Sequence, residues 1–173
     1  MNLLVPYVTL DSVRIDVDAT SRKRIFEEAS LLFESAYGLA HSETFDALIA
    51  RERLGSTCVG AGCAIPHGRL DSTEEPSLVF LRTTSPVMLD APDGRGVQLF
   101  ICLIVPSNDA TDYLALLREC AALFSDRTMR QALISAPSET DICQLLHDWN
   151  PPSDLHSDFA QAWHQNDGDD DGI

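Results

Sequence analysis

The chain has 173 residues, is 45% apolar, and carries a net charge of −15 because 27 acidic residues face only 12 basic ones. That length and apolar content suit one well-buried core and leave no room for two large domains. The charge provides no basic surface for a phosphate backbone, which excludes nucleic-acid binding as a primary role.

The N-terminal stretch MNLLVPYVTLDSV has no cationic run ahead of a long apolar segment, and the longest apolar run, Leu99 to Val105, is far too short to cross a bilayer. Neither export nor membrane insertion is expected. Toward the other end, residues 150–173 contain six aspartates and no lysine or arginine. Such a segment buries little and repels itself, so residues 151–173 are read as an acidic tail, expected to be disordered apart from one short helix, following a body of residues 1–150.

Within the body, Ile25, Phe26, Ala29, Leu32, Phe33 and Ala36 fall on one helical face, with Thr20 or Ser21 as cap and Gly38 as stop. A second helix is predicted from a Ser42 cap through Phe45, Leu48 and Ile49 to about Leu54, ended by Gly55. The period then changes. Residues 58–65 are small and apolar, Ser77 to Thr83 reads as a strand, and residues 97–105 form the near-continuous apolar run of a strand covered on both faces. Between the last two, SPVMLDAPDGRG predicts a short strand and an Asp-Gly turn.

The helical period returns after Pro106, with Leu114, Leu117, Ala121 and Phe124 on one face and a cap among residues 107–109. Two short helices complete the body. Asp126 caps one that uses Met129, Leu133 and Ile134; Ser138, with Asp141 three residues on, caps one that buries Ile142, Leu145, Leu146 and Trp149. The elements together predict an α/β fold, a single-domain mixed sheet flanked by helices.

The stretch that carries chemistry is RERLGSTCVGAGCAIPHGRL, residues 51–70. Pro66 fixes its own φ and drives Ile65 into an extended conformation, while Gly68 leaves the surroundings of His67 open. The imidazole is thus held on a stiff loop beside a strand. Gly60 and Gly62 permit turns whose free N–H groups make anion-binding concavities. A neutral imidazole nitrogen can attack phosphorus, and phosphoryl transfer then asks mainly for positioned cations and N–H donors. Arg51 is the donor expected, because a guanidinium makes two parallel hydrogen bonds to phosphate; Arg53, two positions on, faces elsewhere.

This string resembles the active-site segment of the type-2 IIA domains of the bacterial phosphotransferase system, which covers fructose, mannitol and nitrogen-regulatory IIA proteins. Their pattern is close to R-E-x-x-x-S-T-G-[IV]-G-x-G-[IV]-A-[IV]-P-H-[GA]. A second stretch, SPVMLDAPDGRGVQLFICLIVP, is similar to the family's other signature, and the order of elements agrees from about Asn2 to Trp149. The resemblance implies the IIA type-2 fold, His67 as phosphoryl acceptor, Arg51 as phosphate stabiliser, and Ser56, Thr57 and Gly68 in the loop around the phosphate. It also implies an HPr-like phosphocarrier and regulatory target proteins as partners, and no cofactor or metal. The SRKR-like first helix and the absence of a transporter domain fit the nitrogen-regulatory branch. The alternatives are a sugar-specific IIA that passes phosphoryl to a IIB partner and a binding regulator that is not phosphorylated.

Three positions depart from the pattern. Cys58 stands for glycine and Cys63 for isoleucine or valine. Family members also carry a second histidine early in the helix after Val-Pro, and counting from Pro106 puts Tyr113 there, which can donate a hydrogen bond but cannot become cationic.

Other groupings are weaker. The five cysteines, Cys58, Cys63, Cys102, Cys120 and Cys143, form no CxxC pair and are read as free thiols in a reducing cytoplasm. Cys58, Cys63 and His67 as a zinc site would have a spacing that matches no tight finger and would lack a fourth ligand. His147, His156 and His164 are read as solvated, and His41 has no evident partner. Asp90 and Asp93 are read as turn residues.

Overall fold

The computed structural model describes residues 1–108 and 111–156. Its strands are β1 (Val13–Val17), β2 (Cys58–Gly60), β3 (Cys63–Ala64), β4 (His67–Leu70), β5 (Ser77–Val87) and β6 (Val97–Pro106), and its helices are α1 (Arg22–Tyr37), α2 (His41–Glu52), α3 (Thr111–Ser125), α4 (Arg127–Ser135) and α5 (Glu139–Asp148). One six-stranded mixed sheet runs β1-β5-β6-β3-β2, with β4 also on β6. The pairs β1/β5, β3/β6 and β4/β6 are parallel; β5/β6 and β2/β3 are antiparallel.

The apolar run of β6 explains the layering. Leu99, Ile101 and Leu103 pack with Leu116, Cys120, Leu123, Leu133, Ile142 and Leu146 of α3 to α5, while Phe100, Cys102 and Ile104 pack with Ile25, Phe26, Leu32, Phe33 and Leu48 of α1 and α2. Successive side chains of a strand point to opposite faces, so a strand covered on both sides has to be apolar at every position.

Local capping agrees with the expectation wherever the capping group belongs to the helix's own N-terminus. Ser21, Asp126 and Ser138 each accept a backbone N–H from three residues on, and Gly38 closes α1 at φ 72°, where a side chain would be strained. The Ser42 cap is a correction. Helix α2 begins at His41, and its first N–H donates to Glu34 Oε2 of α1 at 3.0 Å, a cap from another element. His41 also has a partner, since its Nδ1 lies 2.9 Å from the same oxygen.

Further differences concern β5, α3 and the histidines. The short strand expected after Thr83 is the end of β5, whose ladder to β6 is irregular between Arg82 and Val87, where Pro86 has no N–H to donate. The buried stripe of α3 is Tyr113, Leu116, Cys120, Leu123 and Phe124, whereas Leu114 is 39% exposed. Phe124 of the predicted face is buried and Leu117 and Ala121 pack against the core partly buried, so the stripe facing the sheet is rotated by about one position from the expected one. Its cap falls partly outside the described residues. His147 Nε2 lies 2.7 Å from the Val8 carbonyl and His156 Nε2 lies 3.1 Å from Glu119 Oε1, so neither is simply solvated. His164 and the rest of the acidic segment beyond residue 156 lie outside the described residues.

All five cysteines are unpaired. Cys58 Sγ donates to the Leu89 carbonyl at 3.5 Å and Cys63 Sγ to the Ala61 carbonyl at 3.7 Å. Burial pushes the Cys63 thiol up to about 12. Among the described residues no helix is long and apolar enough to cross a membrane.

Candidate functional site

His67 opens β4 where that strand meets the C-terminal half of β6, opposite Leu103. Beneath it, Gly68 is buried against α2: a Cβ there would lie 2.7 Å from the carbonyl carbon and oxygen of Ala47. The missing side chain lets helix and strand touch. From Ala47, helical spacing carries Ala50, Arg51 and Leu54 onto the same face, and these residues together with His67, Gly68, Arg69 and Tyr113 line one open pocket of about 420 Å³. Gly68→Ala is therefore expected to cost about 1–3 kcal/mol, as overpacking against rigid backbone does, and to displace Arg51 from His67. Chemical denaturation of the variant measures the first effect, and an unchanged midpoint would contradict the contact.

The histidine is held by its own loop. His67 Nδ1 lies 2.8 Å from the carbonyl oxygen of Ile65, which only accepts hydrogen bonds, so Nδ1 carries the proton and Nε2 keeps its lone pair. Burial depresses the His67 pKa below the ordinary histidine value, the Ile65 bond opposes that shift, and the positive charges of Arg51 and Arg69 add to it. The neutral form thus persists to lower pH than in a free imidazole. An NMR titration is expected to place the midpoint below about 6.5. Arg51→Gln should move it upward, and a midpoint above that of a model imidazole would refute the assignment of causes.

Two arginines and a tyrosine share the pocket. Arg51 Nη1 donates to the Gly55 carbonyl at 2.8 Å, which fixes one side of the guanidinium and, among the described residues, leaves its other N–H groups uncommitted. Arg69 lies over the Tyr113 ring at 5.6 Å, and that ring is 5.9 Å from the His67 ring at a tilt of 46°. Burial raises the Tyr113 phenol, so it remains a donor. Sequence reading missed Arg69, although in a strand residues i and i+2 share a face and Arg69 follows His67 by two. Arg53 is exposed and outside the pocket lining.

Ser56 and Thr57 do not line the pocket. Thr57 Oγ1 donates to Glu52 Oε2 at 2.7 Å and Ser56 Oγ accepts from the Cys58 N–H at 3.2 Å, so both hydroxyls brace the loop between α2 and β2. The turn at Gly60 to Gly62, expected to offer N–H groups to an external anion, is occupied by the protein itself: Ala61 N–H donates to Asp93 Oδ2 at 2.8 Å. Asp93 is a turn residue, as its bond from the Arg95 N–H shows, and also a long-range brace.

This arrangement of a helix-flanked mixed sheet with a proline-stiffened histidine at its edge matches a known family. Residues 7–149 match the family described as "Phosphoenolpyruvate-dependent sugar phosphotransferase system, EIIA 2", and the chain belongs to it. Within the family it is similar to the nitrogen regulatory protein of Pseudomonas aeruginosa, with 37% identity over 135 residues covering 78% of this chain and 88% of the relative. Among solved structures it resembles nitrogen regulatory protein IIA-Ntr from Neisseria meningitidis, with TM-score 0.79, 39% identity, and coverage of 84% of this chain and 99% of that one. Mannitol IIA from Escherichia coli shares the fold at TM-score 0.68 but only 19% identity, over 80% of this chain and 97% of that one.

Proposed function

We propose that this chain is a histidine phosphocarrier of a regulatory phosphotransferase system, acting in the cytoplasm. His67 takes a phosphoryl group from the phosphohistidine of an HPr-like carrier, and its two states are distinguished by regulatory target proteins. The observation that carries this reading is the 2.8 Å bond from His67 Nδ1–H to the Ile65 carbonyl inside a pocket flanked by arginines. It leaves a neutral, oriented nucleophile beside fixed positive charge. The names of the similar proteins support the nitrogen-regulatory branch over the sugar-specific one, and five unpaired cysteines suit a reducing compartment.

In the transfer, the Nε2–P bond forms as the donor's P–N bond breaks, through a loose transition state with charge on the equatorial oxygens. Arg51 and Arg69 meet that charge as cations and Tyr113 as a neutral hydrogen-bond donor. Leu54, 85% exposed at the pocket's rim, offers the carrier an apolar contact. The test is incubation with phosphoenolpyruvate and the two upstream carrier proteins, read by intact mass. One phosphoryl adduct that survives base and is lost in acid is the expected result. No adduct, with a control IIA labelled in parallel, would leave a binding regulator as the function.

A further inference from the structure

A second pocket lies at the other end of the sheet. It is an open cleft of about 470 Å³ between α4 and the start of β6, lined among others by Arg95, Arg127, Arg130, Pro86, Leu99 and Ile134. Its position is separate from that of His67. Leu99 pairs with Cys63 and Leu103 with His67, so the two sites are four residues apart along β6, roughly 13 Å at about 3.3 Å per residue.

What marks this cleft is that three guanidiniums meet at it. Acidic residues outnumber basic ones by 27 to 12, and Arg22, Lys23, Arg24 and Arg82 each have a carboxylate within 4 Å. Among the described residues Arg95, Arg127 and Arg130 have none, which is equally true of Arg51 and Arg69 in the His67 pocket and of Arg14 and Arg53 elsewhere. Arg127 and Arg130 stand three apart on α4, on one helix face, where like charges repel. Around this one concavity, three guanidiniums have no carboxylate within 4 Å among the described residues.

The cleft is also built. Arg130 Nη1 donates to the Phe124 carbonyl at 2.7 Å, which positions a half-buried guanidinium with further donors to spare. Asp93, whose carboxylate feels the charge of Arg95, has its oxygens engaged by the N–H groups of Ala61 and Arg95. Leu99 forms an apolar floor, and Ile134, 43% exposed, an apolar wall. Its volume falls in the range of small-molecule sites, about 300–1,000 Å³.

We propose that this cleft is a second anion site of the protein, taking clustered anionic oxygens on Arg95, Arg127 and Arg130, with the size and apolar lining suited to a nucleotide-sized phosphate ester. The same oxygen chemistry is present in the chain's own Asp169, Asp170 and Asp171, which are the other possible source. The inference does not rest on phosphoryl transfer at His67.

Isothermal titration of the full chain, and of a chain ended at His156, with ADP distinguishes the cases. Saturable binding by the full chain is expected. It should persist in His67→Ala and weaken tenfold or more in the double variant Arg95→Gln with Arg127→Gln, whose residues are both exposed and whose melting temperature should not change. Binding that appears only in the shortened chain keeps the anion site and assigns the tail aspartates as its occupant. No binding by either chain, or binding lost in His67→Ala and kept in the arginine variant, overturns the proposal.

Discussion

His67→Ala is expected to abolish phosphoryl acceptance while barely changing the fold. The loss should be complete because, among the described residues, the only other ring lining the pocket is that of Tyr113, whose phenol burial keeps protonated and therefore poorly nucleophilic. The structural cost is small, since the half-buried ring makes one hydrogen bond, to the Ile65 carbonyl, worth about 0.5–1.5 kcal/mol net. That corresponds to a fall of about 1–6 °C in Tm for a chain of this size. Intact mass after incubation with the phosphorylated carrier, beside a thermal melt, measures both quantities. Labelling that survives the substitution moves the acceptor to another residue, and collapse of the melt would make His67 a structural residue instead.

The second large effect is expected at Arg51. Its guanidinium is already fixed by the Gly55 carbonyl, so no ordering is needed when charge develops on the phosphoryl oxygens. Removing one such preorganised donor from a partly desolvated site typically costs about 10²–10³ in rate. Arg51→Ala should show that loss in single-turnover transfer from the phosphorylated carrier. Tyr113→Phe should lose no more than about tenfold, because a neutral hydrogen bond contributes about 0.5–1.5 kcal/mol. Tyr113→His, placing imidazole where relatives of this family carry it, should speed transfer once the pH is low enough to charge the new ring. Equal losses for Arg51→Ala and Tyr113→Phe would mean that the tyrosine does more than donate a hydrogen bond. No change in Tyr113→His would mean that the 5.9 Å approach of its ring to His67 has no part in transfer.

What could be read from the chain alone divides along sequence distance. The β6 run, the Ser21, Asp126 and Ser138 caps and the Gly38 stop are legible because each is decided within one turn or one strand. The start of α2 was misplaced because its cap comes from Glu34 on a different helix. The face of α3 was read in part, since Phe124, Leu117 and Ala121 do meet the core, while the deeper row of Tyr113, Leu116, Cys120 and Leu123 is selected only by the sheet opposite. Of the residues that line the pocket, His67 and Arg51 were singled out through the family's motif. Arg69 could have been found by strand alternation had residues 67–70 been read as a strand rather than as loop, and the bracing roles of Ser56 and Thr57 depend on Glu52, which a motif treats as one more conserved letter.

With His67 as the proposed acceptor, the bond from its Nδ1–H to the Ile65 carbonyl would also decide regiochemistry. A phosphorylated histidine exists as two isomers, and a proton fixed on Nδ1 reserves Nε2 for phosphorus. In the product, the substituted ring can keep Nδ1–H on the same carbonyl, so the imidazole need not flip between its free and loaded forms. The backbone oxygen of a residue two positions upstream would thus choose the isomer that a partner protein meets.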